Sequence, residues 1–170
     1  MIEFTTLQEE TNKRYLERYK QHGVSSLSLG WSNLVHQYVR YQTVCDSIAL
    51  KGKKILDFGC GFGDLLGYLQ HNNIACEYIG VDINQVFIEQ ARSRYPKQRF
   101  EVYNCGKPIP NAWQSDIIIA LGLLNYKQTK VENSAYAKWL LSELYKTAKQ
   151  AVVCDFLSII HDTSLSLIHI

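Results

Sequence analysis

Three glycines and two carboxylates stand close together at one turn of the sequence. Residues 56–66 read LDFGCGFGDLL, with glycines at Gly59, Gly61 and Gly63 between Asp57 and Asp64. Glycines at such a turn adopt backbone angles that other residues avoid, and they let a ligand approach the main chain closely. The turn is therefore the first candidate binding site.

The carboxylates that flank this turn separate two classes of ligand. If the dinucleotide fingerprint G-x-G-x-x-G begins at Gly59, Asp64 occupies the place of its third glycine. A pyrophosphate prefers a helix N-terminus without nearby negative charge, whereas two acids suit a cation. S-adenosylmethionine carries a sulfonium and an ammonium against one carboxylate, so the charge of the turn favours it over a nicotinamide dinucleotide.

A third carboxylate, Asp82, closes the next predicted strand. An acid at this place in a nucleotide-binding sheet accepts hydrogen bonds from ribose hydroxyls, and NAD and S-adenosylmethionine sites share that role. The alternative is an acid in a solvated loop. Asp82 thus predicts an adenosine-type ligand without choosing between the two cofactors.

The elements that would position these residues alternate between strands and helices. Apolar runs predict strands at 55–58, 78–82, 100–103, 115–121 and 151–156, with helices after the glycine turn and over 84–95 and 135–148. Such alternation predicts an α/β domain, over residues 53–160, in which helices cover both faces of a parallel sheet. Ligands bind beyond the carboxyl ends of such strands, so the turn and Asp82 should share one crevice.

Residues 1–52 are predicted to form a helical lid over that crevice. A weakly amphipathic helix is predicted over 7–20, a loop rich in glycine and serine over 22–31, and a second helix with Ser32 as its N-cap that stops near Gly52. Six residues of this segment are candidates for contact with the ligand: Tyr15, Arg18, Tyr19, His22, Trp31 and Arg40. The alternative is that Tyr15, Tyr19 and Trp31 simply pack the helices on the sheet.

Together, the turn and Asp82 resemble two motifs of class I S-adenosylmethionine-dependent methyltransferases. Residues 57–63 resemble the first motif, and residues 81–84, VDIN, resemble the motif after the second strand. The similarity extends over about 53–156, and residues 18–31 resemble the N-terminal region of bacterial methyltransferase-like proteins. The resemblance implies a three-layer Rossmann-like fold with strand order 3-2-1-4-5, S-adenosylmethionine as cofactor, and methyl transfer as the activity.

The same resemblance implies roles for individual residues. Asp57 and the turn would line the methionine and ribose portion, Asp82 would hold the ribose, and Ile83 would pack on the adenine. Asn104 stands where the family often has an acid that binds the adenine amino group, and its carbonyl can accept that bond. The implied cofactor-binding set is Asp57, Gly59, Cys60, Gly61, Phe62, Gly63, Asp82, Ile83, Asn104, Cys105, Leu121 and Gly122.

The sequence predicts neither a catalytic residue nor a metal site. A sulfonium makes its methyl group electrophilic, so a general base is needed only for a protonated acceptor, and the histidines lack metal-ligand spacing. Residues 120–126, ALGLLNY, lack the Asn/Asp-Pro-Pro-aromatic turn of enzymes that methylate amino groups of nucleic-acid bases. Eighteen basic against sixteen acidic residues favour a small-molecule acceptor and leave nucleic acid open. The alternatives are an S-adenosylmethionine-binding module without catalysis and an NAD-dependent oxidoreductase.

Cysteine usage and hydropathy predict a cytoplasmic protein. The five cysteines form no CxxC pair, which is typical of reduced thiols. The polar N-terminus is no signal peptide, and we expect no membrane association because no apolar run reaches the ~20 residues that span a bilayer. Oligomeric state is left open.

Residues 161–170 are interpreted as a non-native tail. The last six, LSLIHI, can be encoded by a transposase end sequence used to prepare sequencing libraries; the alternative is a genuine apolar strand. Since the family fold has two further strands after the fifth, we expect those strands to be missing and the edge of the fifth strand to be uncovered.

Overall fold

A computed structural model describes residues 5–104, 106–124, 133–157 and 165–169. The helices are α1 (Thr5–His22), α2 (Leu34–Ser47), α3 (Asp64–His71), α4 (Gln85–Arg94) and α5 (Asn133–Thr147), with a 3₁₀ turn at Asn111–Trp113. The strands are β1 (Lys54–Phe58), β2 (Glu77–Asp82), β3 (Arg99–Val102), β4 (Ser115–Ala120), β5 (Ala148–Leu157) and β6 (Leu165–His169). Every helix and strand predicted from the sequence is present, with ends displaced by a few residues.

The strands form one six-stranded sheet in the order β3-β2-β1-β4-β5-β6. β1 to β5 pair in parallel, which confirms the expected order 3-2-1-4-5 and the Rossmann-like fold. Asp57 of β1 lies beside Gly80 of β2 and Ile119 of β4. The strand order reverses between β1 and β4, and the crevice at such a point is where open α/β sheets bind ligands.

The sheet extends one strand beyond the five expected. β6 pairs antiparallel with β5, with Cys154 opposite Ile168. The described structure therefore corrects the expectation of an uncovered β5 edge, because an apolar segment with strand propensity satisfies the main-chain groups of that edge. The origin of residues 161–170 stays a prediction, and 161–164 and Ile170 lie outside the described residues.

Helices bury both faces of the central strands, which explains their continuous apolar runs. On one face, Ile55, Ile117 and Ile119 pack against Tyr41 and Val44 of α2 and against leucines of α3. On the other face, Leu56 and Ile118 pack with Trp113 and with Leu140 and Leu144 of α5. One side of α2 thus belongs to the core of the domain.

The N-cap of α2 is Asn33, one residue after the predicted Ser32. The Asn33 side chain accepts the backbone N–H of His36 at 2.9 Å. Ser32 Oγ lies 2.5 Å from Nδ1 of the His36 ring instead. Both residue types are good caps, so the local sequence did not distinguish them.

Candidate cofactor-binding site

A cavity of about 340 Å³ lies at the carboxyl ends of β1, β2 and β4, with α1, α2 and the loop between them forming the opposite wall. Eight residues of the predicted cofactor-binding set line it: Asp57, Gly59, Cys60, Gly61, Asp82, Ile83, Leu121 and Gly122. The sheet thus brings together the glycine turn, the acid that ends β2, and the end of β4.

The remaining members of the predicted set lie elsewhere. Phe62 is fully buried, with its ring centroid 4.6 Å from that of Phe87. Gly63 precedes α3 in the left-handed conformation, beside the ring of Phe100. Asn104 is exposed and its side chain accepts Nε2 of Gln8 at 3.1 Å, and Cys105 lies outside the described residues. Packing accounts for the first two, and a cofactor role for these four stays a prediction.

The N-terminal helices contribute more to the cavity wall than their weak sequence pattern indicated. Four of the six residues singled out there line it, namely Tyr15, Arg18, Trp31 and Arg40. Tyr19 instead packs its ring against Phe62 and Phe87, and His22 is exposed at the end of α1. Packing is thus observed for Tyr19, and contact of the four lining residues with a ligand stays a prediction.

Sequence reasoning missed several lining residues, and the polar ones include Gln37, Arg14, His36 and Tyr103. For Gln37 a signal existed. It lies four residues before Tyr41 and seven before Val44, so this amide shares the buried face of α2 with core side chains. A polar residue on an apolar face must find partners, and that makes it a candidate for a specific role.

The glycine turn needs its glycines for shape. Gly59, Gly61 and Gly63 have φ values of 85°, 54° and 77°, in the left-handed region that other residues seldom adopt. The N–H groups of Gly59 and Cys60 donate to Val81 O at 2.7 and 3.0 Å, which holds the turn against β2. The turn is thus a rigid part of the cavity wall.

Asp82 is held in a fixed orientation by main-chain donors. One carboxylate oxygen accepts the N–H of Asn84 at 2.8 Å, and the other accepts the N–H of Gly61 at 3.0 Å. Each carboxylate oxygen has a further lone pair, so both can still accept a ligand hydroxyl. This geometry links the glycine turn to the acid that would face a ribose.

Asp57 is a buried acid in the same wall. Its Oδ2 accepts the hydroxyl of Tyr78 at 2.5 Å. Burial raises the pKa of Asp57 to about 7, against the lowering effect of the Tyr78 hydrogen bond and with a further rise from Asp82 and Asp64. Burial also raises the pKa of Asp82 to about 6, although its main-chain hydrogen bonds oppose the rise. Such buried acids would gain from a cationic ligand.

A buried ion pair joins the N-terminal segment to the ends of β4 and β5. Arg40 Nε donates to Oδ2 of Asp155 at 2.6 Å, and the side chains are 5% and 1% exposed. The other oxygen of Asp155 accepts the N–H of Gly122 at 2.6 Å. The Arg40 guanidinium also lies 4.8 Å from the ring centre of Trp31. One acid thus positions the turn after β4 and the adjoining wall of the cavity.

Metal-binding clusters and membrane-crossing helices are both absent from the described residues. They contain no group of three or more His, Cys, Asp or Glu side chains placed to bind a metal ion. Within the same part of the chain, no helix has both the length and the apolar character that crossing a bilayer requires.

The fold and the cavity first define a broad class. A parallel sheet in the order 3-2-1-4-5, with a glycine turn after β1 and an acid at the end of β2, is typical of Rossmann-like nucleoside-binding domains. Within that class the chain belongs to the methyltransferase domain family, whose family model matches residues 56–153.

Relatives of known sequence and structure are consistent with this membership. The chain is 31% identical over 103 residues to ribosomal protein L11 methyltransferase of Escherichia coli, and the match covers 58% of this chain but 30% of that protein. The chain therefore spans about a third of the length of that relative.

Two solved structures share the fold. Magnesium protoporphyrin IX methyltransferase of Synechocystis, solved with S-adenosylhomocysteine, aligns with a TM-score of 0.61 at 20% identity, over 92% of this chain and 73% of that one. Phosphoethanolamine N-methyltransferase 1 of Haemonchus contortus aligns with a TM-score of 0.65 at 13% identity, over 97% and 38% of the respective chains.

Proposed function

We propose that this chain binds S-adenosylmethionine and transfers its methyl group to a small-molecule acceptor in the cytoplasm. One observation carries the proposal: the fixed carboxylate of Asp82 and the buried carboxyl of Asp57 face one cavity beside a glycine turn. Family membership supports the same cofactor. Turnover of isotope-labelled S-adenosylmethionine would distinguish an enzyme from a binding module without catalysis.

The residues present fit this cofactor. Asp82 offers two oxygens for the ribose hydroxyls, and partly buried Ile83 offers an apolar surface for the adenine. The two acids with raised pKa values suit a ligand with positive charge. A Cβ on Gly61 would lie 2.7 Å from a methyl carbon of Leu29, so a larger residue there would require Leu29 to move. When bound, S-adenosylmethionine supplies an electrophilic methyl group.

The chain itself would bind and orient the cofactor and the acceptor, and it would exclude water from the site. Asp155 holds the N–H of Gly122, and Trp31 lies across that turn, within 3.6 Å of a Cβ built there. The resemblance to class I methyltransferases implies that Leu121 and Gly122, at the end of the fourth strand, lie beside the transferring methyl. Positioning of the acceptor and removal of water account for much of the rate in such reactions.

We favour a small acceptor because α1 and α2 cover the cavity. Tyr15, Arg18, Trp31 and Arg40 all reach the wall that faces the strand ends. A folded macromolecule would have to displace these residues to reach the turn after β4. The relative from Escherichia coli is named for a ribosomal protein, but the match covers too little of that protein to transfer its acceptor.

Replacing Asp82 with alanine tests the proposed cofactor. Loss of the ribose acceptor should weaken S-adenosylhomocysteine binding by ~1–3 kcal/mol, or roughly 5- to 150-fold, as measured by isothermal titration calorimetry. The matched control is Asp46→Ala, which removes an exposed acid of α2 that bonds only locally to Gln42. Equal affinity of the Asp82 variant and the wild type would remove Asp82 from the site. A thermal shift by NAD rather than S-adenosylhomocysteine would favour the oxidoreductase alternative.

The raised pKa values of Asp57 and Asp82 predict opposite effects of pH on ligand affinity and on stability. S-adenosylhomocysteine carries an ammonium that prefers ionised acids, so its affinity should rise as pH increases through the two pKa values, about 6 for Asp82 and about 7 for Asp57. Without ligand, the folded chain holds more protons than the unfolded chain above the unfolded pKa of about 3.9. The free energy of unfolding should therefore fall as pH rises from about 4 to about 7.

Calorimetry and urea denaturation across this pH range check both trends. The variant Asp57→Asn keeps an acceptor for Tyr78 and removes the titration, so the upper part of each trend should disappear. An affinity that falls with rising pH in the wild type would contradict the assignment.

A further inference from the structure

Gln37 presents a buried carbonyl without a hydrogen-bond partner at the candidate site. The side chain is fully buried on α2 and lines the cavity. Its Nε2 donates to the hydroxyl of Tyr41 at 2.8 Å and to Oδ2 of Asp64 at 3.2 Å. Among the residues that the structure describes, none donates to its Oε1. A buried acceptor in that state is destabilising unless a ligand supplies the donor.

Asp64 determines which amide atom of Gln37 is left without a partner. Arg94 Nη1 donates to Oδ1 of Asp64 at 2.6 Å, so this carboxylate is held in an ion pair. An ionised carboxylate only accepts hydrogen bonds. The amide nitrogen of Gln37 must therefore face Asp64, since a flipped amide would place two oxygens against each other. Oε1 is the atom that remains without a donor.

The surroundings of Gln37 favour a cationic donor. Asp57 lines the same cavity, and Tyr41, which accepts from Gln37, is close enough to Asp57 and Asp64 for both acids to raise its pKa, after the larger effect of burial. An ammonium has three donors and no acceptor, which matches a carbonyl next to a buried acid. Arg40 and Trp31 line the part of the cavity wall at Gly122. That part of the wall carries a cation, in contrast to the acidic part near Gln37.

We propose that Gln37 is a cofactor-binding residue, whose Oε1 accepts an N–H from the α-amino group of the bound cofactor. This rests on the proposed function, because it requires S-adenosylmethionine or its product in the cavity. It adds a residue of the N-terminal helices to a site whose predicted members all come from the strand ends. It also makes Gln37 a determinant of selectivity for ligands that carry the amino acid group.

Two ligands isolate this contact. S-adenosylhomocysteine has the amino group, and its analogue with hydrogen in place of that group does not. We expect Gln37→Leu to weaken binding of S-adenosylhomocysteine by about tenfold or more, as for a hydrogen bond to a charged group, and to leave binding of the deamino analogue unchanged. Calorimetry on the full chain gives both affinities.

Two further variants separate the carbonyl from the rest of the side chain. Tyr41→Phe removes one partner of Nε2 without touching Oε1, so it should affect the two ligands alike. Gln37→Glu combined with Asp64→Asn keeps an acceptor at position 37 and lets the amide of residue 64 replace the lost donor, so it should keep the preference for S-adenosylhomocysteine. If Gln37→Leu does not fold, the ¹³C shift of the Gln37 side-chain carbonyl in the wild type serves instead, and it should move with S-adenosylhomocysteine but not with the analogue.

The outcomes distinguish this inference from the proposed function. A wild type that ignores S-adenosylhomocysteine would reject the proposed function itself. A wild type that binds it, while Gln37→Leu weakens both ligands equally or neither, would overturn the role of Gln37 alone. If an amino group of the acceptor were the donor to Gln37, both nucleosides would respond alike to Gln37→Leu, and the second result would be observed.

Discussion

Replacing Arg40 with methionine should lower the free energy of unfolding by about 3–5 kcal/mol, the usual cost of leaving one member of a buried ion pair without its partner. Asp155 is 1% exposed and would keep its charge in the interior after the arginine that neutralises it is removed. Methionine preserves much of the volume of the arginine stem, so packing is a minor part of the loss. Urea denaturation followed by circular dichroism measures the change.

Two controls show whether burial is the cause. Arg99 pairs with Glu101 at 3.2 Å, but these side chains are 48% and 38% exposed. Arg99→Met should therefore cost less than about 1 kcal/mol. The double variant Arg40→Met with Asp155→Leu removes both charges and should recover much of the loss, since apolar replacements of buried pairs are often neutral. Equal effects of Arg40→Met and Arg99→Met would contradict the buried pair.

The same pair connects stability to the candidate site. The carboxylate of Asp155 accepts the main-chain N–H of Gly122, and the guanidinium of Arg40 packs over the ring of Trp31. Disruption of the pair should therefore loosen the wall at the end of β4 as well as the attachment of α2. Asp57, Asp82 and the glycine turn are held by other contacts, so binding of S-adenosylhomocysteine should be affected less than stability.

Local patterns were enough to predict the strands of the sheet and the residues at their carboxyl ends, while the strand order was implied by the resemblance. Apolar runs between helices predicted β1 to β5. The glycine turn follows β1 and Asp82 ends β2, so parallel pairing of the strands places these two features close together. These features depend on neighbours in the sequence or on the general geometry of parallel sheets. They could therefore be predicted from the sequence.

The rest of the site depends on pairs of residues that are distant in the chain, and no local pattern encodes these pairs. Arg40 and Asp155 are 115 residues apart in the chain, and Gln37 and Asp64 are 27 apart. Each looks like an ordinary charged or polar residue until the fold buries it with its partner. The choice of Asn33 over Ser32 as N-cap shows the same limit over a shorter distance, because two adjacent residues could both cap α2.

Replacing Gly61 with valine should remove most of the affinity for S-adenosylhomocysteine and lower stability by about 2–4 kcal/mol. Gly61 has φ +54°, which a β-branched residue adopts only with strain, and a Cβ there would lie 2.7 and 2.9 Å from the two methyl carbons of Leu29. Leu29 lines the cavity, so any movement that relieves the contact changes the binding space. The N–H of Gly61 also orients Asp82. Calorimetry measures the affinity, and denaturation the stability.

A matched glycine separates backbone strain from loss of the site. Gly23 has φ +59° and nothing within 4 Å of a Cβ built on it, so Gly23→Val should incur the same strain of about 1–2 kcal/mol while ligand affinity stays at the wild-type level. Adding Leu29→Ala to the Gly61 variant should restore part of the stability, because it removes the atoms in collision, but little of the affinity, because the turn remains distorted. A Gly61→Val protein that binds S-adenosylhomocysteine as tightly as the wild type would show that the ligand does not approach this turn, and the cavity would then need a different occupant.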